Sequence, residues 1–279
     1  MGQFDSKAYH DHMAVIAATD GGTGLCTIVG IDGGFSRRIG AQLAILPDGN
    51  VVGSLADGCL EQQLASDLAA LDGPRVNRYG TGSPFIDFRL PCGGGLDILL
   101  DPAPDRQACR KVADDLAARR PAALNLPPNP FLNSRKYIPQ LALDLIGSGP
   151  ELECLAELAR AAGLSVRVVR KDDLSLGSRP QYPVPDRWTA TVLLFHDHEW
   201  EAAILAHALS GNGFYVGAQG GHQARVARIE RLREAGLSEV QTDRIKAPIG
   251  VIPSCREPDV LAVSILADIY AEYEKLREA

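Results

Sequence analysis

In the amino-terminal half of the chain, two cysteines stand directly beside glycines. Cys59 follows Gly58 at the start of the helical pattern DGCLEQQLASDLAAL, and Cys92 precedes Gly93 and Gly94 ahead of an apolar strand pattern. A thiolate in the first turn of a helix is stabilised by the helix dipole and by free amide groups, and it is a nucleophile and a soft metal ligand. Glycines also leave backbone amides open to an anionic ligand. The pattern therefore predicts a sulfur-based site, although either cysteine taken alone is more often a small buried side chain.

A second pattern, Gly147-Ser148-Gly149, separates an apolar strand from a helix. In a dinucleotide-binding fold, the first glycine allows a tight turn and the second lets the backbone approach a pyrophosphate at the helix amino terminus. The fingerprint is incomplete, because Leu152 stands at the third glycine position and Arg170-Lys171 replace the expected acidic residue. This departure disfavours NAD. It leaves open an NAD(P)-linked oxidoreductase with a phosphorylated ligand, or a Rossmann shell with a weak or lost dinucleotide site.

His196 and Asp197 directly follow the strand pattern TVLLF, residues 191–195. Open α/β sheets bind ligands at the carboxyl ends of their strands, so His196 would donate to a bound anion or shuttle a proton. The alternative is a turn that caps the next helix. Arg225 and Arg228, in the later pattern HQARVARIERLREAG, are predicted to lie on a solvated helix face.

Strand and helix patterns divide the chain into two halves. The second half alternates apolar strands with amphipathic helices, which predicts a Rossmann-like, doubly wound parallel sheet. The first half predicts a mixed α+β domain with the strands GLCTIVGID, RVNRYG, GLDILLD and AALNL and a hairpin at AQLAILPDGNVVGSL. Between them, the proline- and asparagine-rich residues 124–139 indicate an extended connector. We therefore expect a domain over 1–126, a linker over 127–139 and a Rossmann-like domain over 140–279, an α/β protein overall.

The composition restricts the classes of function. A formal net charge of −7 over 279 residues provides no basic field for nucleic acid or an anionic membrane. No apolar run approaches the roughly 20 residues needed to span a bilayer. The six cysteines include no CxxC pair, which argues for reduced thiols rather than a disulfide framework and against a closed zinc site. We expect a soluble cytoplasmic protein that binds neither nucleic acid nor membranes.

The order of seven segments resembles the XdhC/CoxI family of xanthine dehydrogenase accessory proteins. The resemblance runs over nearly the whole chain. The segments are GGFSRRIGAQLAILPDGNVVGSLADGCLEQQL, LPCGGGLDILLDP, RKYIPQLALDLIGSGPELECLAELARAAG, LLFHDHEWEAAIL, FYVGAQGGHQARVARIERLREAG, IKAPIG and AVSILADI.

This resemblance implies a chaperone for molybdenum cofactor. Such a protein binds the pterin-molybdenum unit, holds it while an oxo ligand is exchanged for sulfur with a cysteine desulfurase, and passes it to an apo-molybdoenzyme of the xanthine dehydrogenase type. It would be a carrier without turnover of its own, and we expect a homodimer. An adaptor that binds the molybdoenzyme but no cofactor is a further alternative.

The resemblance also implies roles for individual residues. The family's paired cysteines match Cys59 and Cys92, and its His-Asp pair matches His196 and Asp197. Arg37 and Arg38, beside Gly33-Gly34, would pair with the cofactor phosphate, since guanidinium groups bind phosphate through two parallel hydrogen bonds. The glycines expected to contact the cofactor are Gly58, Gly93, Gly94, Gly147, Gly149 and Gly220.

The chain departs from the family pattern at four places. The family's SGGC is Ala56-Asp57-Gly58-Cys59 here, which places a carboxylate beside the candidate thiol, and the threonine before the His-Asp pair is Phe195. GSRR is replaced by residues 220–223, GGHQ, and PIGLDIGA by residues 248–255, PIGVIPSC, which gains Cys255. The departures cluster at the expected carboxy-terminal ligand site, which suggests a divergent branch that serves another molybdoenzyme.

Overall fold

A computed structural model describes residues 11–56, 58–83, 93–195 and 198–278. The chain divides into two compact units, here called unit 1 (Met1–Pro139) and unit 2 (Gln140–Ala279). Asp57, Cys92, His196 and Asp197, all singled out above, lie outside the described residues.

Unit 1 is built on a five-stranded antiparallel sheet in the order β3-β2-β1-β5-β4. The strands that the sequence predicts appear at the expected places, because each is a short apolar run closed by turn residues. The elements of unit 1 are α1 (Asp11–Ala17), β1 (Gly24–Asp32), β2 (Gln42–Ile45), β3 (Val51–Gly53), α2 (Cys59–Ala69), β4 (Arg75–Gly80), β5 (Gly95–Asp101), α3 (Arg106–Ala117), β6 (Ala122–Asn125) and β7 (Ser134–Tyr137).

Helices cover both faces of this sheet. Successive side chains of a strand point to opposite faces, so Cys26 and Ile28 of β1 lie in the core that includes Leu60 and Leu64 of α2. Leu25 lies in the second core, with side chains of α1 and α3. The packing of Leu60 and Leu64 into the first core holds α2, and with it Cys59, on the sheet.

Residues 127–139, where the composition indicates a connector, contain β7, which pairs with β6 as an antiparallel hairpin within unit 1. Asn129 organises the loop: its amide nitrogen donates to the carbonyls of Pro127 and Leu132, and its Oδ1 accepts from the amides of Phe131 and Leu132. The Tyr137 hydroxyl donates to Oε1 of Gln42 in β2. The prolines and asparagines therefore form an ordered turn tied to the sheet of unit 1.

Unit 2 has a parallel sheet in the order β12-β11-β10-β8-β9, covered by helices, which confirms the predicted Rossmann-like fold. From β8 the chain passes to β9 on one side and then crosses to β10 on the other, so the switch point lies between β8 and β10. The elements of unit 2 are β8 (Ala142–Gly147), α4 (Pro150–Ala161), β9 (Ser165–Arg170), β10 (Thr189–Leu194), α5 (Glu201–Leu209), β11 (Tyr215–Ala218), α6 (His222–Glu234), α7 (Glu239–Thr242), β12 (Ile245–Lys246) and α8 (Pro258–Glu278).

A buried histidine lies on α5, one of the helices that cover this sheet. His207 is 4% exposed, its Nδ1 accepts a hydrogen bond of 3.3 Å from Arg179 Nε, and its ring packs edge-on against Tyr182 at a centroid distance of 4.9 Å. Burial lowers the pKa of His207, and the positive charges of Arg179 and Arg167 lower it further. The native state therefore favours the neutral imidazole.

We expect unit 2 to lose stability in mild acid through His207. A lowered native-state pKa contributes stability that is fully present above the unfolded value of about 6.5 and is lost as the pH falls from there through the folded pKa. His207→Gln should show a smaller fall in the urea midpoint than the wild-type protein between about pH 7 and pH 5. Tryptophan fluorescence suits the measurement, because the two tryptophans, Trp188 and Trp200, both lie in unit 2.

His222→Gln is the matched control, since His222 is exposed at the start of α6. It should retain the wild-type acid sensitivity. An equal fall in the midpoint for His207→Gln and the wild-type protein would show that His207 does not control this sensitivity.

No helix in the described ranges is both long and apolar enough to cross a membrane.

Candidate functional site

In unit 1, Cys59 is exposed and is the first residue of α2. Gly58 occupies the N-cap position with a φ of +102°, in the left-handed region that favours glycine. The first amides of a helix have no partner within the helix, so this end is suited to negative charge. The structure thus places the Cys59 thiol where the sequence predicts it, at an accessible helix amino terminus.

The segment before Cys59 is fixed by one buried carboxylate. Glu61 is 6% exposed, and its Oε1 accepts hydrogen bonds from the amides of Leu55 at 3.0 Å and Ala56 at 2.6 Å. Its Oε2 accepts from the amide of Gly58 at 2.7 Å. Glu61 stands three residues after the N-cap, the acidic position of a capping box, and this spacing is the sequence signal that would have identified it.

Arg37 reaches the same segment. Its Nε donates to the carbonyl of Ser54 at 3.1 Å and its Nη2 donates to the Ser54 hydroxyl at 3.3 Å. The Ser54 hydroxyl in turn donates to the carbonyl of Ala56. Arg37 and Arg38 are both exposed, so Arg37 provides positive charge close to the start of α2.

Two glycine pairs, Gly33-Gly34 and Gly93-Gly94, approach each other at one end of the sheet. We call this end the glycine edge. Gly33 has a φ of +84°, and a Cβ on it would lie 3.5 Å from the Cα of Gly94. Thr81 fixes the second pair, because its hydroxyl donates to the carbonyl of Gly93 and its amide donates to that of Gly94. This edge is formed by the carboxyl end of β1 and the amino end of β5.

The carboxyl end of α2 packs on the start of β1. Leu68 lies against Gly24, where a Cβ on Gly24 would be 2.2 Å from a Leu68 methyl group. From Cys59 to Ala69 the helix has 11 residues, a length of about 16 Å at 1.5 Å per residue. A cleft of about 600 Å³ adjoins the start of α2 and is lined by Ser54, Ala56, Gly58, Glu61 and Gln62, with the β2–β3 hairpin opposite.

Two other cysteines of unit 1 are unsuited to such a site. Cys26 and Cys109 are both buried. Burial raises the pKa of Cys109 to about 11, and burial together with the Asp101 charge raises that of Cys26 well above its ordinary value. Both thiols therefore stay protonated at neutral pH.

In unit 2, Gly147 and Gly149 lie at the switch point. Gly147 has a φ of +153°, and a Cβ there would be 2.0 Å from the Leu194 carbonyl oxygen, so only glycine allows β8 to approach β10 this closely. Gly149 is the N-cap of α4 with a φ of +98°. Leu152 stands where the dinucleotide fingerprint has its third glycine. Its side chain is fully buried and fills the space under the helix.

The first turn of α4 already carries negative charge. Glu151 and Glu153 both lie there, and Glu151 Oε2 is 3.1 Å from the position of a Cβ on Gly149. Arg170 binds Glu153 through two hydrogen bonds of 3.0 and 2.9 Å. A pyrophosphate at this turn would meet carboxylates, and Arg170 is already paired, so the arrangement is poorly suited to a dinucleotide.

Unit 2 has a cleft of its own, of about 680 Å³, beside the carboxyl end of β11. It is lined by Gln219, Gly220, Gly221 and the segment 248–255, which includes Cys255. Two residues of α8 anchor that segment: Asp268 accepts from the amide of Gly250, and Ser264 accepts from the amide of Ile252. Gly220 and the departures at 248–255 therefore share one cleft, as the sequence comparison indicates. Phe195 is instead buried in the core of unit 2.

The prediction that Arg228 lies on a solvated helix face is wrong. It is 3% exposed and forms a bidentate ion pair with Glu201, with hydrogen bonds of 2.7 and 3.0 Å. The available signal was its position one helical turn before Leu232, the apolar residue that this helix buries. Arg225, only partly buried, donates to the carbonyl of Ala247.

Comparisons with known proteins agree on one family. Residues 143–269 match the model described as the XdhC Rossmann domain, and residues 16–80 match that of the XdhC and CoxI family. The chain is 32% identical over 267 residues to the molybdenum cofactor insertion chaperone PaoD of Escherichia coli (strain K12). The alignment covers 89% of this chain and 82% of that protein. The chain belongs to the XdhC and CoxI family. The resemblance read from the sequence is thereby confirmed.

A solved structure shares the fold of this XdhC and CoxI family member. It is described as a xanthine dehydrogenase from Bacillus halodurans, and it aligns with a TM-score of 0.68 at 19% identity over 94% of this chain and 95% of the other. At that identity, the likeness establishes a common architecture.

Proposed function

We propose that this protein is a molybdenum cofactor-binding chaperone that assists sulfuration or insertion of the cofactor into a molybdoenzyme of the xanthine dehydrogenase type. The family and the similarity to a molybdenum cofactor insertion chaperone support the class of function. The observation that carries the proposal is the exposed Cys59 at the amino terminus of α2, with the Arg37 guanidinium bonded to the segment before it.

The cofactor would be the cargo, and the chemistry of unit 1 suits it. A thiolate is a soft ligand for molybdenum or for a transferable sulfur atom. Arg37, Arg38 and the backbone at Gly58, Gly93 and Gly94 would receive the phosphate of the pterin, since guanidinium and bare amide groups both bind phosphate. Cys92 would act with Cys59, as the family pattern implies.

We propose the carboxyl edge of the sheet in unit 2 as a separate binding surface for the cargo. Gly147 ends β8, Gly149 comes two residues later, and Gly220 comes two residues after the end of β11. His196 and Asp197 come after β10 in the sequence. Ligands of doubly wound sheets bind at this edge. His196 would donate to the anion or carry a proton there.

The expected partners are an apo-molybdoenzyme of the xanthine dehydrogenase type and a cysteine desulfurase that supplies sulfur. We further propose a cytoplasmic homodimer without enzymatic turnover. An NAD(P)-linked oxidoreductase is the less favoured function, because Glu151 and Glu153 occupy the first turn of α4 and Leu152 is buried there.

Cys59→Ser is expected to lower the molybdopterin content of the freshly purified protein at least about tenfold. A weakly nucleophilic hydroxyl replaces a soft thiolate ligand, and a tenfold loss corresponds to about 1.4 kcal/mol of binding. The measurement is pterin fluorescence after denaturation and oxidation, on protein expressed anaerobically with molybdate. Circular dichroism should be unchanged, since Cys59 is exposed.

Cys154→Ser provides the control, because Cys154 is a partly exposed thiol on α4 of unit 2. It should keep the wild-type pterin content. A wild-type protein free of pterin would overturn the carrier function. A molybdoenzyme complex insensitive to Cys59→Ser, formed without pterin, would favour the adaptor.

A further inference from the structure

Unit 2 buries one ion pair beside the cleft at the carboxyl edge of its sheet. The side chains of Arg228 and Glu201 are 1% and 2% exposed. Arg228 Nε donates to Glu201 Oε2 at 2.7 Å and Nη2 donates to Glu201 Oε1 at 3.0 Å. The same Nη2 donates to the carbonyl of Gln219 at 2.7 Å.

The three partners belong to separate segments that meet at this edge. Arg228 lies in the middle of α6, Glu201 is the first residue of α5, and Gln219 directly follows β11. The amide of Gln219 is itself bound to the carbonyl of Leu193 in β10, at 2.9 Å. A single guanidinium thus joins the start of α5 to the chain segment that leads into α6.

A gain in stability is a weak explanation for this pair. Desolvation of two charges cancels much of their attraction, and replacing a buried ion pair with apolar side chains is often neutral or stabilising. A planar guanidinium instead fixes geometry, because its donors bind a carboxylate and a carbonyl in set directions. Arg228 Nη1 has no hydrogen-bond partner among the described residues, so its binding capacity is not fully used by the fold.

The chain segment that Arg228 holds through Gln219 forms one wall of the cleft. Gln219, Gly220 and Gly221 line the cleft of about 680 Å³, and α6 begins at the next residue, His222. The two glycines carry no side chain that would anchor them, and Gly220 has a φ of +134°. Gly221 is held on one side by the Arg225 amide, which donates to its carbonyl at 3.1 Å, and on the other side the segment is held by the hydrogen bonds at Gln219, which Arg228 and Leu193 supply.

We infer that Arg228, held by Glu201, is a positioning residue that sets the Gln219–Gly221 wall for the bound cargo. The identity of the cargo, a molybdopterin, rests on the proposed function. The positioning of the wall by Arg228 rests on the observed hydrogen bonds alone. Arg228 acts through the Gln219 carbonyl and does not itself contact the cargo.

Arg228→Lys tests the inference, since lysine keeps the charge but lacks the fork that reaches Glu201 and Gln219 together. Hydrogen–deuterium exchange of peptides covering residues 219–225 should accelerate at least about tenfold, the change expected when a charge-assisted hydrogen bond that restrains the segment is lost. The molybdopterin content of the full-length protein should fall at least threefold.

Arg244→Lys is the matched control. Arg244 also forms three hydrogen bonds, to the carbonyls of Leu209, Gly211 and Gly213, but these residues precede β11 at the opposite edge of the sheet. It should leave both the exchange at 219–225 and the pterin content at wild-type values, even if the thermal midpoint falls. If Arg228→Lys does not fold, the apolar pair Arg228→Met with Glu201→Leu carries the same test, with the same expected changes.

Unchanged exchange at residues 219–225 in the Arg228 variants would overturn the positioning role. Accelerated exchange with unchanged pterin content would overturn its relevance to the cargo. A wild-type protein without pterin would instead reject the proposed function, while the exchange experiment would still decide whether Arg228 positions the wall.

Discussion

Gly147→Ala is expected to destabilise unit 2 by on the order of 3 kcal/mol, from a strained φ and a close steric contact. The new Cβ would lie 2.0 Å from the Leu194 carbonyl oxygen and 2.6 Å from its carbon, both backbone atoms of the neighbouring strand. Backbone cannot rotate away as a side chain would, so β8 and β10 must separate. The fall in the urea midpoint, followed by tryptophan fluorescence, measures the effect.

Gly149→Ala separates the steric contact from backbone strain. Gly149 also has a positive φ, of +98°, but a Cβ there would meet only the end of the Glu151 side chain, at 3.1 Å. That side chain can move, so we expect a loss of about 1–2 kcal/mol from backbone strain alone, because a φ of +98° with a ψ of 176° is a conformation that residues other than glycine rarely adopt. Equal losses for the two variants would contradict the contact with Leu194 as the dominant effect.

Glu61→Gln is expected to destabilise the start of α2 by about 2 kcal/mol, the worth of hydrogen bonds to a charged acceptor. An amide keeps one oxygen for the amides of Leu55 and Ala56, but its NH₂ group would face the amide of Gly58, so two donors would oppose each other. Hydrogen–deuterium exchange over residues 55–64 measures the loss, because unit 1 contains no tryptophan. The pterin content should fall with it, since this segment positions Cys59.

Gln62→Glu is the matched control, because Gln62 is the next residue of α2 and is exposed. This variant replaces an amide by a carboxylate, the reverse of Glu61→Gln. We expect the stability of the start of α2 to change by no more than about 0.5 kcal/mol. If Glu61→Gln left exchange over residues 55–64 at the wild-type rate, the three hydrogen bonds would not hold this segment in solution.

Local sequence patterns were sufficient for the longer elements of both units. RVNRYG and GLDILLD are β4 and β5 to the residue, since each is a run with strand propensity closed by glycine or aspartate. The βαβ unit of β8, α4 and β9 followed from hydrophobic periodicity and the glycine turn. Cys59 could be placed at a helix start for the same reason.

What the sequence did not reveal depends on contacts between distant residues. β7 becomes a strand through pairing with β6 and the bonds of Asn129, and nothing in SRKY by itself indicates a strand. The local sequence predicts an exposed Arg228, and its burial results from its ion pair with Glu201, 27 residues earlier. The two residues of β12 are too few to show a period at all.

The burial of Cys26 and Cys109 has a consequence for the behaviour of the protein toward oxidants. Peroxides and alkylating reagents attack thiolates, so two thiols that stay protonated inside the protein react slowly. Among the described cysteines of unit 1, such reagents therefore meet Cys59 alone. Among those described cysteines, oxidation during storage in air should begin on the Cys59 sulfur, with the added mass of one oxygen atom, and a reductant should reverse this first stage.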